Sequence, residues 1–266
     1  MKKILSLTLA MLMMVGTLFS FAACSGGEDD NVLVCGVTVI PDMNEKDEDG
    51  NWTGFESEFA MAVAELLDMK VEFQEIDWTQ KYSELNSGKI DCIWNGFTAN
   101  SSDDGIERKD LVDLSYTYMR NQQCIVIKNT NAETIKTEAD LVGKTAAVEG
   151  GSAGAAYAED AVGEDGDLAE FPAQINAFLE VDAGRSAFAV VDILLAQKVC
   201  GTGDYTDLMI VEDIVLPVEY YAIGFKKGSA LTEKVNGAIK TLYENGTLEE
   251  LAEKYGFENT LEVKID

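Results

Sequence analysis

Twice along this chain a short apolar run gives way to helix-spaced residues and then to another apolar run, and this alternation restricts the fold more than any single motif. Residues 32–37 read VLVCGV, a strand-type run. Phe59, Ala62, Val63, Leu66 and Leu67 then recur at helical spacing within residues 55–68. Residues 71–76 alternate as a strand, 79–87 read as a short helix stopped by Gly88, and 90–94 (IDCIW) read as a further strand. The pattern restarts with a strand at 123–128, a helical turn at 137–141 and a strand at 144–149. A helix at 155–161, a strand at 168–171, a helix at 175–183, a strand at 188–192 and another helix follow. A strand at 220–226 and two helices, 231–245 and 247–255, close the sequence. Such alternation predicts two α/β lobes with mainly parallel sheets, and two lobes imply a cleft where a small ligand usually sits.

The first residues bear on location. Lys2 and Lys3 precede an apolar stretch from Ile4 to Phe21 that ends in F-A-A-C24, the pattern of an export signal rather than a fold element. The cysteine directly after Ala22-Ala23 resembles the lipobox of bacterial lipoproteins, although Phe21 stands where leucine is usual. That resemblance implies a signal peptide over 1–23, a lipidated Cys24 with a flexible tether over 24–31, and attachment to the outer face of the cell membrane through acyl chains alone. An ordinary signal peptide or a single anchor helix is the alternative.

Charge and cysteine use exclude several classes. Removing Lys2 and Lys3 from the 20 Lys and Arg leaves 18 against 48 Asp and Glu, a net charge of −30, which repels nucleic acid and anionic lipid. Histidine is absent and the cysteines form no C-x-x-C pair, so neither a metal nor a cofactor is expected. Cys35 and Cys92 fall inside strand-like runs, where cysteine acts as a small hydrophobe; for Cys35, Cys92, Cys124 and Cys200 either a disulfide or free thiols is expected, with free thiols the favoured reading.

After IDCIW the apolar run is expected to stop at Asn95-Gly96, with a polar loop leading to a lone arginine, Arg108. Six segments of the chain carry a resemblance. G50-N-W-T-G-F-E-S-E-F resembles a turn-strand-helix segment, L85-N-S-G-K-I-D resembles L-x-x-G-K-x-D, and V112-D-L-S-Y-T-Y resembles V-D-F-S-x-P-Y. V148-E-G-G-S-A-G matches V-x-x-G-S-x-G, G184-R-S-A-F-A-V-V-D192 resembles G-R-x-D-A-x-x-x-D with Ala187 and Phe188 in place of its Asp and Ala, and residues 235–256 resemble a closing helix pair. In this order and spacing they resemble the solute-binding proteins of polar amino-acid ABC importers, the family 3 extracellular solute-binding proteins, over nearly the whole mature chain. The resemblance implies a two-lobed periplasmic-binding-protein fold with two crossover strands. One lobe would take residues 32–118 plus 222–266 and the other 119–221. It further implies a monomer that delivers a free amino acid to an ABC permease.

An amino acid carries a carboxylate and an ammonium on one carbon, so its site needs a cationic fork and a set of acceptors. Arg108 supplies two parallel donors to a carboxylate, assisted by the Thr98 N–H. The turn G150-G-S-A-G154 leads into a helix and is expected to present unpaired amides of Ser152 and Ala153. Asp192 would take the ammonium, with the Gly96 carbonyl, the Thr98 hydroxyl and Asn95, while Phe97 flanks the ligand side chain. Blander readings stand beside each assignment. Arg108 is otherwise a solvated charge, the glycine turn a plain connection, Asp192 a helix cap, and Phe97 a core residue. Trp94 is read as core and Tyr157 as an alternative aromatic wall.

Departures from the family pattern bear on specificity. Nine residues separate Thr98 from Arg108 where relatives have about four, and Val37 and Ile40 stand where relatives often carry an aspartate and an aromatic. The change turns the expectation slightly toward a smaller or aliphatic ligand side chain. Residues 45–56 approximate the spacing of a calcium loop but are read as a solvated hairpin. A cleft enzyme of the same fold, dehydratase-like and acting on a small carboxylate, is the main rival, although no histidine, Ser-x-x-Lys or nucleophile elbow is present. A receptor's sensing module would require a membrane-spanning segment after Asp266.

Overall fold

The structure, a computed structural model, describes residues 31–265. The expected export signal, Cys24 and almost all of the expected tether lie outside the described residues. In chain order the first lobe opens with β1 (Val32–Val37), the hairpin of β2 (Glu45–Lys46) and β3 (Trp52–Thr53), α1 (Phe55–Leu66), β4 (Lys70–Glu75), α2 (Lys81–Ser87) and β5 (Cys92–Thr98). Strand β1 pairs in parallel with both β4 and β5, the expected βαβαβ unit. Helix α1 turns Phe55, Phe59, Ala60 and Val63 inward. Phe59 meets Trp94 of β5 edge-on, with ring centroids 5.0 Å apart, and burying such an aromatic contributes about 1.5–3 kcal/mol. Trp94 is therefore core. Residues 45–56 form the expected hairpin, closed by the Asp47 carboxylate on the Asp49 and Asn51 N–H groups.

The connection that follows holds a second hairpin, β6 (Ser102–Asp103) with β7 (Ile106–Glu107), then the single-turn α3 (Arg108–Leu111) and β8 (Asp113–Leu114). The long β9 (Thr117–Lys128) leads into β10 (Thr145–Glu149), α4 (Ala153–Val162), β11 (Asp167–Phe171), α5 (Gln174–Asp182), β12 (Phe188–Asp192), α6 (Ile193–Val199) and β13 (Leu208–Ile210). Strand β14 (Val218–Phe225), α7 (Ala230–Glu244), α8 (Thr247–Tyr255) and β15 (Leu261–Lys264) complete the described chain.

The main sheet runs β11-β10-β12-β9-β14-β5-β1-β4. Strand β9 joins its two halves: Met119–Gln122 pair with β14, and Gln123–Val126 pair with β12. Each lobe keeps a parallel trio, but β9 and β14 are antiparallel to their neighbours, so the sheet is mixed where the two lobes meet. The two crossover strands make the fold two-lobed.

One expectation about an element fails. The strand read as 90–94 does not stop at Asn95-Gly96; β5 continues to Thr98, buried throughout. Pairing with β14 carries it past the glycine, Phe97 opposite Ala222 and Thr98 opposite Tyr221, with a register shift between Ala222 and Gly224. Gly96 sits at φ +56, and a Cβ there would lie 3.1 Å from Cζ of Tyr221, so glycine is required for both conformation and space.

Candidate functional site

Arg108 opens α3 directly after the β6–β7 hairpin, whose turn residues Asp104 and Gly105 both have positive φ. Its side chain is 1% exposed, which removes the reading of a solvated surface charge. The guanidinium lies 4.6 Å above the Phe97 ring. Its Nε donates to Asp103 Oδ2 at 3.1 Å and its Nη2 to Asp103 Oδ1 at 3.3 Å, a bidentate pair. Nη1 donates to the Thr98 carbonyl at 3.3 Å, and Nη2 also reaches the Gly151 carbonyl at 3.4 Å. Of the five guanidinium N–H donors, these bonds leave one on Nη1.

Asp103 thus takes the place expected for a ligand carboxylate. The Tyr82 hydroxyl also donates to it, and Lys81 Nζ stands 3.8 Å away. Burial works against its ionisation, but Arg108 and Lys81 outweigh that and hold its carboxyl below the usual range. Lys81 is buried, donates to the Gly151 carbonyl at 2.8 Å and lies over the Tyr82 ring. Burial lowers its pKa to about 8 against the opposing pull of Asp103. Trp78 stands beside Phe97 and donates its backbone N–H to the Pro172 carbonyl at 3.4 Å. Two backbone acceptors of the second lobe, at Gly151 and Pro172, are therefore held by residues of the first. A cavity of 330 Å³ opens here, lined by Thr79, Lys81, Asp103, Ser152 and Glu170 among others.

Asp192 ends β12 and is 4% exposed. Its Oδ1 accepts from Asn121 Nδ2 and Gln123 Nε2, both at 2.6 Å, and its Oδ2 accepts from Gln174 Nε2. Glu219 of β14 shares two of those donors: its Oε2 accepts from Gln123 at 2.9 Å, Asn121 at 3.1 Å and the Thr98 hydroxyl at 3.2 Å. Glu149, at the end of β10, is 2% exposed, and its Oε1 has no hydrogen-bond partner among the described residues. Burial, reinforced by Asp192, raises Glu149 to about 8 and Glu219 to about 7. Burial also raises Asp192, opposed by its three amide donors.

The remaining expected residues divide. Thr98 lies between Arg108 and Glu219: its carbonyl accepts from the guanidinium and its hydroxyl donates to Glu219. Asn95 is committed within its own lobe: Oδ1 accepts the Thr38 N–H and Asn44 Nδ2, while Nδ2 donates to Thr38 Oγ1 at 2.6 Å. The Gly96 N–H donates to Glu56, whose pKa burial raises to about 7 against the donors Tyr118, Gly96 and Asn44. Phe97 is buried under the guanidinium. Ser152 caps α4 through Oγ on the Ala155 N–H, and its own N–H closes a turn on the Glu149 carbonyl at 3.2 Å. The expectation of an unpaired Ser152 amide is thereby corrected, and Ala153 carries the first amide of the helix. Tyr157 packs in the cluster of Ile125 and Val148 rather than against the guanidinium.

Sequence reading missed Asp103, Lys81, Trp78, Glu149 and Glu219. The available signals were a charge at the end of an apolar run, as in A-A-V-E149, and a lone lysine opening a helix otherwise free of basic residues.

Residues 33–259 match the bacterial extracellular solute-binding proteins, family 3. The chain is 32% identical over 263 residues to the probable amino-acid-binding protein YxeM of Bacillus subtilis (strain 168), covering 96% of this chain and 95% of that protein. It is 30% identical over 243 residues to the arginine-binding extracellular protein ArtP of the same organism, covering 89% and 92%. Among solved structures it resembles an ancestral arginine-binding protein bound to arginine, with TM-score 0.76 and 31% identity over 85% of this chain and 98% of that one. A match that begins within β1 and runs almost to β15 leaves one assignment: the chain belongs to the bacterial extracellular solute-binding proteins, family 3.

Proposed function

We propose that the protein captures a free amino acid outside the cell membrane and hands it to an ABC permease. One observation supports the reading: a buried guanidinium on α3 and a buried carboxylate at the end of β12 are linked through Thr98, whose carbonyl accepts from Arg108 and whose hydroxyl donates to Glu219, which shares the Asn121 and Gln123 amides with Asp192. The ligand carboxylate displaces Asp103 from Arg108, and the ligand ammonium goes to Asp192 with the Thr98 hydroxyl. Ala153 adds a helix N-terminal amide. Because the two lobes supply opposite ends of the clamp, ligand favours the closed state by contacts that only this state makes. The amino-acid-binding names of the relatives support this class of ligand.

We take the lobe boundaries as 32–118 with 222–266, and 119–221. The protein acts as a monomer, held at the membrane by acyl chains on Cys24. Fractionation of a Cys24→Ala protein tests the anchor: release into the soluble fraction supports it, and retention at the membrane overturns it.

A second reading has an observation of its own. Glu149 and Glu219, with pKa values of about 8 and 7, have the poise of general acids, as a dehydratase-like enzyme would need. A thermal-shift panel of free amino acids, run beside a turnover assay on cyclic carboxylates, separates the two. Ligand at about 100 times its dissociation constant stabilises by about 2.7 kcal/mol. A selective rise without turnover supports capture; turnover of a carboxylate without an amino-acid response overturns it.

A further inference from the structure

The clamp uses one carboxylate for one ammonium, and this site holds more acid than that. Around it stand four carboxyl groups, Asp103, Glu149, Asp192 and Glu219, against two cations, Lys81 and Arg108. The carboxyl groups outnumber the cations by two, and a zwitterion, which adds one group of each kind, leaves that excess unchanged.

Two buried acceptor atoms are also unsatisfied. The amide of Asn121, 3% exposed, spends its Nδ2 donors on Asp192 and Glu219, while its Oδ1 has no partner among the described residues. Glu149 Oε1 is the other. An orphaned buried acceptor costs about 1–3 kcal/mol, and both orphans call for donors. Among the described residues, no cation of the second lobe is seen to meet this need: Lys81 and Arg108 both come from the first lobe, and both are engaged by Asp103 and the Gly151 carbonyl. The surroundings add a long-range pull, since the chain carries 48 acidic against 20 basic residues, and such a field concentrates cations.

We infer that the ligand is an α-amino acid with a second cationic group on its side chain, and that Glu149, with Glu219 and the Asn121 carbonyl, receives that group. The inference rests on the amino-acid reading above and narrows it. It departs from the sequence-based expectation of an aliphatic side chain, because the loss of an aromatic at position 40 says nothing about the carboxyls at 149 and 219. With the second cation bound, the excess of carboxyls falls from two to one.

Three ligands test this by calorimetric titration of the full-length protein in detergent: arginine, citrulline, which replaces the guanidinium with a neutral urea, and agmatine, which lacks the carboxylate. Arginine should bind at least about tenfold more tightly than citrulline, the ratio corresponding to about 1.4 kcal/mol. The arginine-to-citrulline ratio should fall in Glu149→Gln and in Glu219→Gln proteins whose melting remains cooperative. Citrulline binding as tightly as arginine overturns the inference and leaves the clamp standing. Agmatine binding as tightly as arginine overturns the amino-acid reading and leaves the second cation site standing. Lysine and ornithine replacing arginine as the tightest ligand supports the inference, because both carry the required charge.

Discussion

The carboxylate of Asp103 lies on the Nε–Nη2 edge of Arg108, at 3.1 and 3.3 Å, so the residue best suited to hold a ligand carboxylate already holds one from its own chain. The longer connection between Thr98 and Arg108 is what makes this possible. It folds as the β6–β7 hairpin, and the hairpin delivers Asp103 back onto the arginine that follows it. In the proposed clamp the internal carboxylate would compete with the ligand for the same donors.

Replacing Asp103 with asparagine should therefore tighten amino-acid binding. The amide can still accept from Tyr82 but no longer neutralises Arg108, and a gain of about tenfold corresponds to about 1.4 kcal/mol. Calorimetry on the variant checks this. Weakened binding with an unchanged melting temperature would instead make Asp103 part of the carboxylate site.

Asp192→Asn should weaken amino acids far more than their deaminated analogues. Three amide donors hold this carboxylate, and removing its charge takes away the ammonium's main partner. Loss of one member of a buried charge pair costs about 2–5 kcal/mol in binding. Equal losses for an amino acid and its deaminated analogue would assign Asp192 to structure, as the cap that begins α6.

Stability of the ligand-free protein should fall as pH rises. Glu56, Glu149 and Glu219 are raised by burial from an ordinary 4.5 to about 7, 8 and 7. In the window between 4.5 and those values the folded state binds more protons than the unfolded chain, so unfolding becomes easier with each step toward alkaline pH. Melting temperatures should decline from pH 5 to pH 8. Glu149→Gln should flatten the upper part of that decline. A cationic amino acid should do the same, and its affinity should rise over the same interval as these carboxyls ionise. A melting temperature that climbs through this range would contradict the raised values.

The periodicities that set β1, α1, β4, α5 and the closing helix pair are local, and the chain displays them openly. What the site does with its polar residues is not local. Asn95 reads as a ligand contact until Thr38 and Asn44, 57 and 51 residues away, are seen to occupy its amide. Glu149 ends an apolar run in the same way that a solvated strand end would. Its charged and hydrogen-bonding surroundings come from Asp192, Lys81, the Gln174 N–H and Arg108, none of which the run itself encodes. Asp103 looks like one more acid in an acidic loop until the hairpin turns it toward Arg108. The positions of Arg108 and Asp192 were legible, a lone guanidinium beyond a buried strand and a carboxylate at the end of another; the clamp they would form is our proposal.

The central claim is that one bound molecule presents a carboxylate to Arg108 and an ammonium to Asp192. The most direct measurement takes the amino acid with the largest thermal shift and compares its calorimetric dissociation constant with those of its decarboxylated amine and its deaminated acid. Each analogue should bind at least about 100-fold more weakly, a loss of about 2.7 kcal/mol. An analogue that binds within about threefold of the parent, a difference of about 0.6 kcal/mol, would show that the corresponding arm of the clamp is not used.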